Sequence, residues 1–351
     1  MSNKVIQAIP NTGRHNACHM NACHMVLHFH GVNIPLPRFI PLSTFGFGFM
    51  YLNDNGRILA SASGCPCRGS MSFITEQLGY DYETPTAQDI KSPWLQIKEY
   101  IDSGLPMVAG PLPMDLYRQH NPQAPLTGLD SFCVICGYDD DRSTVYLTDT
   151  FGLCYMQVSR DSLEQGWEVG KRLCPVEIIP SVPFLFVVKG KKKSSYDELE
   201  VTRNALKRAC EQMEGKALSD TVSTGLVGQK RFLNDLERRF NLEERKLPIV
   251  ASIIRDFACL IGAQSKYDIA YFLRDYASKL AESDGRVSGL AGLFEQEGSL
   301  YLEALGEYSL NAKGIESGLE IEPYFHKLYE LMSRIISLEE EELGILQEIT
   351  K

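Results

Sequence analysis

Two domains of different class are expected from this sequence: a mixed α+β domain over residues 1–190 and an all-α domain over residues 195–351. Three observations lead there. Up to about residue 190, short apolar runs are bounded by Gly, Pro and Asp, the punctuation of strands and turns. Beyond the basic run Lys189-Gly-Lys-Lys-Lys193, apolar residues recur three and four apart with few breakers, the period of amphipathic helices. A chain of 351 residues is also long for a single core.

Taken in order, Asn16 as N-cap and Gly31 as stop predict a first helix over 17–30. The aromatic–glycine run FGFGFMYL, starting at Phe45, is expected to pack beside that helix, with Gly46 and Gly48 allowing close backbone approach. GSMSFITEQLG (69–79) and AQDIKSPWLQIKEYIDSG (87–104) read as helices. MVAG (107–110), FCVICGY (132–138), TVYLTD (144–149) and PFLFVV (183–188) read as strands, and DDDR (139–142) as a polar hairpin turn between two of them. Trp167 is expected in the core. In the second domain, helices are read from YDELEVTRNALKRACEQM, GQKRFLNDLERRF, IVASIIRDFACLIG, YDIAYFLRDYASKL and YFHKLYELMSRIISLEEEELGILQEI. Tyr267, Tyr271, Arg274 and Tyr276 share one of them, as a plain amphipathic surface or as an interdomain or homodimer contact.

The charge balance narrows the function classes. A net charge of −10 argues against general nucleic-acid binding and suits a cationic small molecule better. No run of about 18 apolar residues predicts a membrane span, and the N-terminus shows no apolar segment of a signal peptide. A cytoplasmic setting is expected, with the ten cysteines mostly reduced. Cys65-Pro-Cys67 is too tightly spaced for an ordinary zinc hook and reads as a loop pair. The lysine run is either a solvated linker or a patch for an acidic partner.

The chemistry concentrates in RHNACHMNACHMVLHFHG, where the five residues NACHM occur twice in tandem. Residues 15–30 hold five of the seven histidines and two of the ten cysteines. Copies five residues apart on a helix point about 140° apart, so a given site meets only one cysteine. Cys18 falls in the first turn, where the positive helix end favours a thiolate. Cys23 falls on the apolar stripe Met20, Cys23, Leu27. His15/His19 and His24/His28 are i, i+4 pairs able to share a metal ion. No carboxylate follows locally, however, and His24 and His28 with Asn21 read rather as a polar surface or cleft-lining stripe.

Cys18 followed by ACHMVLHFHG, then PMVAGPLPMDLY, then GLDSFCVICGYDDDRSTVYLTDTFG and VSRDSLEQGW, resembles the papain-like bacteriocin-processing peptidases. With GAQSKYDIAYFLRDYASKL added, the order of motifs resembles the butirosin biosynthesis protein H family, a papain-like domain followed by a helical one. That resemblance implies an acyltransferase of secondary metabolism, such as antibiotic biosynthesis. The acyl group of a carrier-protein phosphopantetheine thioester passes through a cysteine acyl-enzyme to a small amine acceptor. The phosphopantetheine arrives with the acyl carrier protein, so no resident cofactor is implied. Cys18 stands at the nucleophile position and Asp149 at that of the acid orienting the base. Asn11, Thr12 and Asn16 are upstream polar candidates for the oxyanion site, and Asp115, Tyr117 and Asp130 for substrate contact, with Arg118 beside them. The family's histidine begins the strand before Gly-Tyr-Asp, and here that position is Ser131. His120 in YRQHNPQ is the substitute nearest in sequence, with His15 and His19 further candidates. The departure keeps two other readings open: a papain-like peptidase or amidase, and a weak or dead relative that binds a carrier protein or metabolite.

Overall fold

The computed structural model describes residues 3–7, 9–13, 15, 17–54, 57–61, 67–85, 92–113, 130–150, 154–173, 184–193, 195–242, 260–279, 285–316 and 320–351. The chain divides into two compact units, residues 1–36 with 66–196 and residues 37–65 with 197–351. Residues 37–65, read from sequence as part of the α+β domain, thus fall in the second unit.

The first unit is built on an antiparallel sheet. β4 (Tyr80–Glu83), β9 (Phe184–Lys191), β5 (Met107–Pro113), β6 (Asp130–Asp139), β7 (Thr144–Thr148) and β8 (Met156–Ser159) lie side by side in that order. β1 (Asn3–Val5) takes up the edge of β6 at Gly137–Asp139, beyond the last β5 pairing at Ile135. β6 is buried from Phe132 to Tyr138 and β9 from Phe184 to Val188. Unbroken apolar runs there mark strands covered on both faces. α1 (Cys18–Phe29) packs on β5, β6 and β9, and α3 (Cys67–Gln77) on α1 and β4. α4 (Pro93–Asp102) packs on β1 and β6, and α5 (Arg160–Leu173) on β5, β7 and β8. α4 starts where the sequence is best suited: Ser92 Oγ accepts the Leu95 N–H and Pro93 occupies the first turn. Trp167 is buried, as expected.

The lysine run lies against the edge strand β4. Lys189 pairs with Glu83 and Lys192 with Asp81, both across from β4, with the second contact at 2.6 Å. Part of the run read as a linker or docking patch is therefore spent on cross-strand ion pairs.

The second unit is helical with a small sheet. Its helices are α2 (Leu36–Leu42), α6 (Glu198–Glu214), α7 (Gly225–Leu242), α8 (Leu260–Lys279), α9 (Gly285–Glu316) and α10 (Glu322–Ile349), the first residue of α2 lying in the first unit. β2 (Met50–Asp54) pairs antiparallel with β3 (Arg57–Ser61) and with β10 (Val222–Thr224). Arg38 on α2 pairs with Glu198 and, at 3.3 Å, with Asp275. Phe45, Phe47 and Phe49 are buried in this unit, Phe47 edge-on to Phe294 and Phe49 beside Phe232. The aromatic–glycine run therefore packs with the helices of the second unit. Gly46 and Gly48 explain why. Both have positive φ, and a Cβ would stand 2.7 Å from Ser265 Cβ at Gly46 and 2.4 Å from Gln212 O at Gly48.

On α8, Tyr267 hydrogen-bonds Ser299 at 3.0 Å and Arg274 pairs with Glu295, so the stripe read there is partly a helix–helix contact with α9. Tyr271 stays exposed. Among the described residues no helix is long and apolar enough to cross a membrane.

Candidate active site

α1 opens at Cys18, with Ala17 rather than Asn16 in the N-cap position and no side-chain cap. Instead, buried His15 turns its ring onto the helix start, and Nδ1 accepts the Ala17 N–H at 2.9 Å. A neutral His15 therefore carries its proton on Nε2. The first-turn N–H groups of a helix lack intrahelical partners and create a positive end; Cys18 stands there.

The two NACHM copies have opposite surroundings. Cys18 is half-buried, whereas Cys23 is fully buried. Burial pushes the Cys23 thiol up to about 12, against a hydrogen bond to Thr75 that works the other way. Met20 and Leu27 share its burial, so that stripe is core.

His24, His28 and Asn21 serve as structural ties. His24 is buried, with Nδ1 at 2.8 Å from Thr12 Oγ1 and Nε2 at 2.7 Å from Ile34 O. Both ring nitrogens are thereby spent, which leaves none for a shared metal ion. His28 Nδ1 stands 2.7 Å from Val32 O. The stripe read as surface or cleft lining is thus an inner seam for Asn21 and His24: Asn21 Nδ2 and both His24 ring nitrogens bond to residues of other segments. Burial pushes His24 down to about 4 despite the Ile34 carbonyl, and burial with the nearby His15 pushes His19 down to about 3. Both stay neutral near pH 7.

The helix is seated where the sheet offers its site-bearing ends. His19 lies edge-on to Phe132, the residue after Ser131, with ring centroids 5.7 Å apart. Buried Asn21 donates Nδ2–H to Gly13 O at 3.0 Å and to Thr150 O at 3.4 Å. Asn21 is one turn from Cys18 on the same helix side, so the Cys18 side of α1 faces the segment carrying Asp149. Asp149 follows β7 directly and is buried. In the β6–β7 register Thr148 pairs with Val134, so one further step brings Asp149 level with Cys133, two residues from Ser131. The Ser131 backbone pairs with Leu112 and that of Asp130 with Pro113.

Cys18, Asp149 and the Ser131 backbone are thus carried on elements that meet. Asn16, Asp115, Tyr117, Arg118 and His120 lie outside the described residues, as do the side chains of Asp130 and Ser131. So does Cys65, while Cys67 begins α3. Of the oxyanion candidates, Asn11 Oδ1 accepts the Gly13 N–H at 3.1 Å and Thr12 is engaged by His24. The tie made by Asn21 was missed from sequence. Its signal was an amide on a helix with buried Met20, Cys23 and Leu27, where a polar group must find partners.

With this geometry in view, the comparison with known families is specific. Residues 5–174 match the Peptidase_C39 like family. The match covers the cysteine helix, β6 with Ser131, and Asp149, and it supports a papain-like cysteine-peptidase-like reading of the mixed helix-and-sheet unit. The chain is also similar to the uncharacterized protein YobF of Bacillus subtilis (strain 168), 24% identical over 278 residues, 77% of this chain and 83% of that protein. That likeness is longer than the Peptidase_C39 like segment, so it extends beyond it.

Proposed function

We propose that this protein is a cysteine-dependent acyltransferase working through an acyl-enzyme on Cys18. The observation that carries the reading is the contrast between the two cysteines. Cys18 is accessible at a helix start beside the Asp149 segment, while its twin Cys23 is sealed in the core. The Cys18 thiolate attacks the carbonyl carbon of a carrier-bound thioester, and the tetrahedral intermediate collapses with loss of the phosphopantetheine thiol. An amine then attacks the acyl-enzyme, loses a proton and releases the Cys18 thiolate. First-turn backbone amides are suited to stabilise each oxyanion. Asp149 is suited to orient an imidazole supplied by the segment of His120; His15 is spent on the helix start, its Nδ1 taken by the Ala17 N–H. Cytoplasmic location, an acyl carrier protein as donor and a small amine as acceptor complete the reading, which rests on the order of sequence motifs.

Ser131 favours a second reading, a binding relative without turnover, since a serine hydroxyl is no base near neutral pH. Incubation with short acyl-pantetheine thioesters followed by intact-protein mass spectrometry separates the two. A single acyl adduct that maps to Cys18, is absent from Cys18→Ala and discharges to added amine is expected. Thioester binding with no adduct sinks the enzyme reading, and release of acid alone moves it to a hydrolase.

A further inference from the structure

Among its described residues the second unit buries three carboxyl groups around one ammonium. Lys266 on α8, Glu297 on α9, and Glu339 and Glu342 on α10 all have 0% exposure. Lys266 Nζ lies 3.0 Å from Glu297 Oε1 and 2.9 Å from Glu339 Oε1, and its charge also stands over the Phe294 ring. Three carboxyl groups thus share one ammonium in a space without water exposure. The oxygen accounting points the same way. Both oxygens of Glu342 and both of Glu297, with Glu339 Oε2, meet no hydrogen-bond donor among the described residues, whereas Lys266 Nζ donates to Glu339 Oε1. A carboxylate only accepts, but a protonated carboxyl group also donates.

We propose that the second unit folds with two protons bound in this cluster, on Glu297 and Glu342, leaving Glu339 as the counter-ion of Lys266. The cluster is then electrically neutral and the added protons donate to neighbouring carboxyl oxygens. Isolated charges at such depth are strongly unfavourable, and carboxyl groups in mutual contact titrate as a set. Burial, then repulsion from Glu342, holds Glu297 well above the usual carboxylate range against the pull of Lys266. Burial does the same for Glu342, again opposed by Lys266 and aided by Glu339 and, from the next position, Glu341. Burial alone pushes the Lys266 ammonium down, but the three glutamates override it and hold it charged. The elements packed on α10 from its other sides bring Lys230 of α7, paired with exposed Glu340, and Cys210 of α6, at 3.4 Å from Thr350 Oγ1.

The functional consequence is a pH-sensitive unit. The folded state binds more protons than the unfolded one at every pH between the ordinary Glu value and the raised folded values. Its stabilisation is complete below the unfolded pKa and is lost as pH rises through the folded ones.

Infrared spectroscopy of the full chain near pH 7 tests this directly. Exposed carboxyl groups are ionised there, so a carboxylic-acid carbonyl stretch above the amide band reports buried acid. The band is expected in the wild type and is expected to shrink in Glu297→Gln and in Glu342→Gln. Gln is the isostere of the protonated acid, so each variant is expected to fold. Each is also expected to flatten the rise of the unfolding constant with pH by about tenfold per pH unit. Absence of the band from the wild type overturns the proposal. So does a band unchanged in both variants, or a Glu342→Gln chain that fails to fold.

Discussion

Cys18 and Cys23 carry the same side chain in the same pentapeptide, yet the fold gives them opposite chemistry. Thiol reactivity follows thiolate fraction and access. Cys23 has neither, with a thiol pushed up to about 12 inside the core. Against an ordinary free thiol that lowers its thiolate fraction on the order of 10³-fold. Brief iodoacetamide treatment and peptide mapping should therefore label Cys18 and spare Cys23; the reverse pattern discards Cys18 as nucleophile. This much was legible in the sequence, because rotation on a helix separates the copies and the apolar stripe selects Cys23 for the core. The partner of Cys18 was not legible, since an imidazole reaches a site through folding, not adjacency. Ser131→His tests the missing-base idea. If the site is otherwise complete, acyl-enzyme formation should rise, with general-base help worth about 10²–10⁴-fold, while Ser131→Ala should change little. Loss of a robust wild-type activity in Ser131→Ala shows instead that the serine itself is needed, and loss in His120→Ala places the base in that loop.

At the scale of elements, local pattern found what is local. β5, β6, β7 and β9 come from apolar runs, and α3, α4, α6, α7 and α10 from helical spacing. In the sheet of β2, β3 and β10, the pairing of residues 50–54 with 222–224 lies beyond any local window, whereas the β2–β3 pairing is local and was missed because the run FGFGFMYL was read for its glycines and not as a strand. In the phenylalanine–glycine segment the need for close backbone approach was legible, but the backbone approached at Gly48, that of Gln212, lies far along the chain. Two glycines separate the causes. Gly31 has φ +93° with open space around its missing Cβ, whereas Gly48 has φ +77° with Gln212 O only 2.4 Å from where a Cβ would sit. Gly31→Ala meets conformational strain alone and should cost about 1 kcal/mol. Gly48→Ala adds a backbone clash and should cost about 3 kcal/mol or more. Chemical denaturation of both variants checks the ranking, and equal costs mean that the backbone at Gly48 shifts freely.

At the scale of the whole molecule, the two units store opposite proton balances. In the first, His19 and His24 are buried and neutral, with pKa values lowered to about 3 and about 4. An unfolded histidine titrates near 6.5, so below that value the unfolded first unit binds protons that the folded one refuses. Its stability is full above about pH 6.5 and is lost as pH falls toward the folded values, by up to about 1.4 kcal/mol per pH unit for each histidine. The second unit, with its acid cluster protonated, loses stability in the other direction. The chain supplies separate reporters. Its two tryptophans, Trp94 and Trp167, both lie in the first unit, while long helices dominate the second. In urea titrations the fluorescence midpoint should therefore fall from pH 7 to pH 5, while the far-ultraviolet helix signal should lose midpoint from pH 6 to pH 8. The histidine part of this contrast follows from burial seen in the first unit alone. Midpoints that move together in one direction exclude opposite proton linkage in the two units; a helix-signal midpoint that stays level removes the acid cluster as its source.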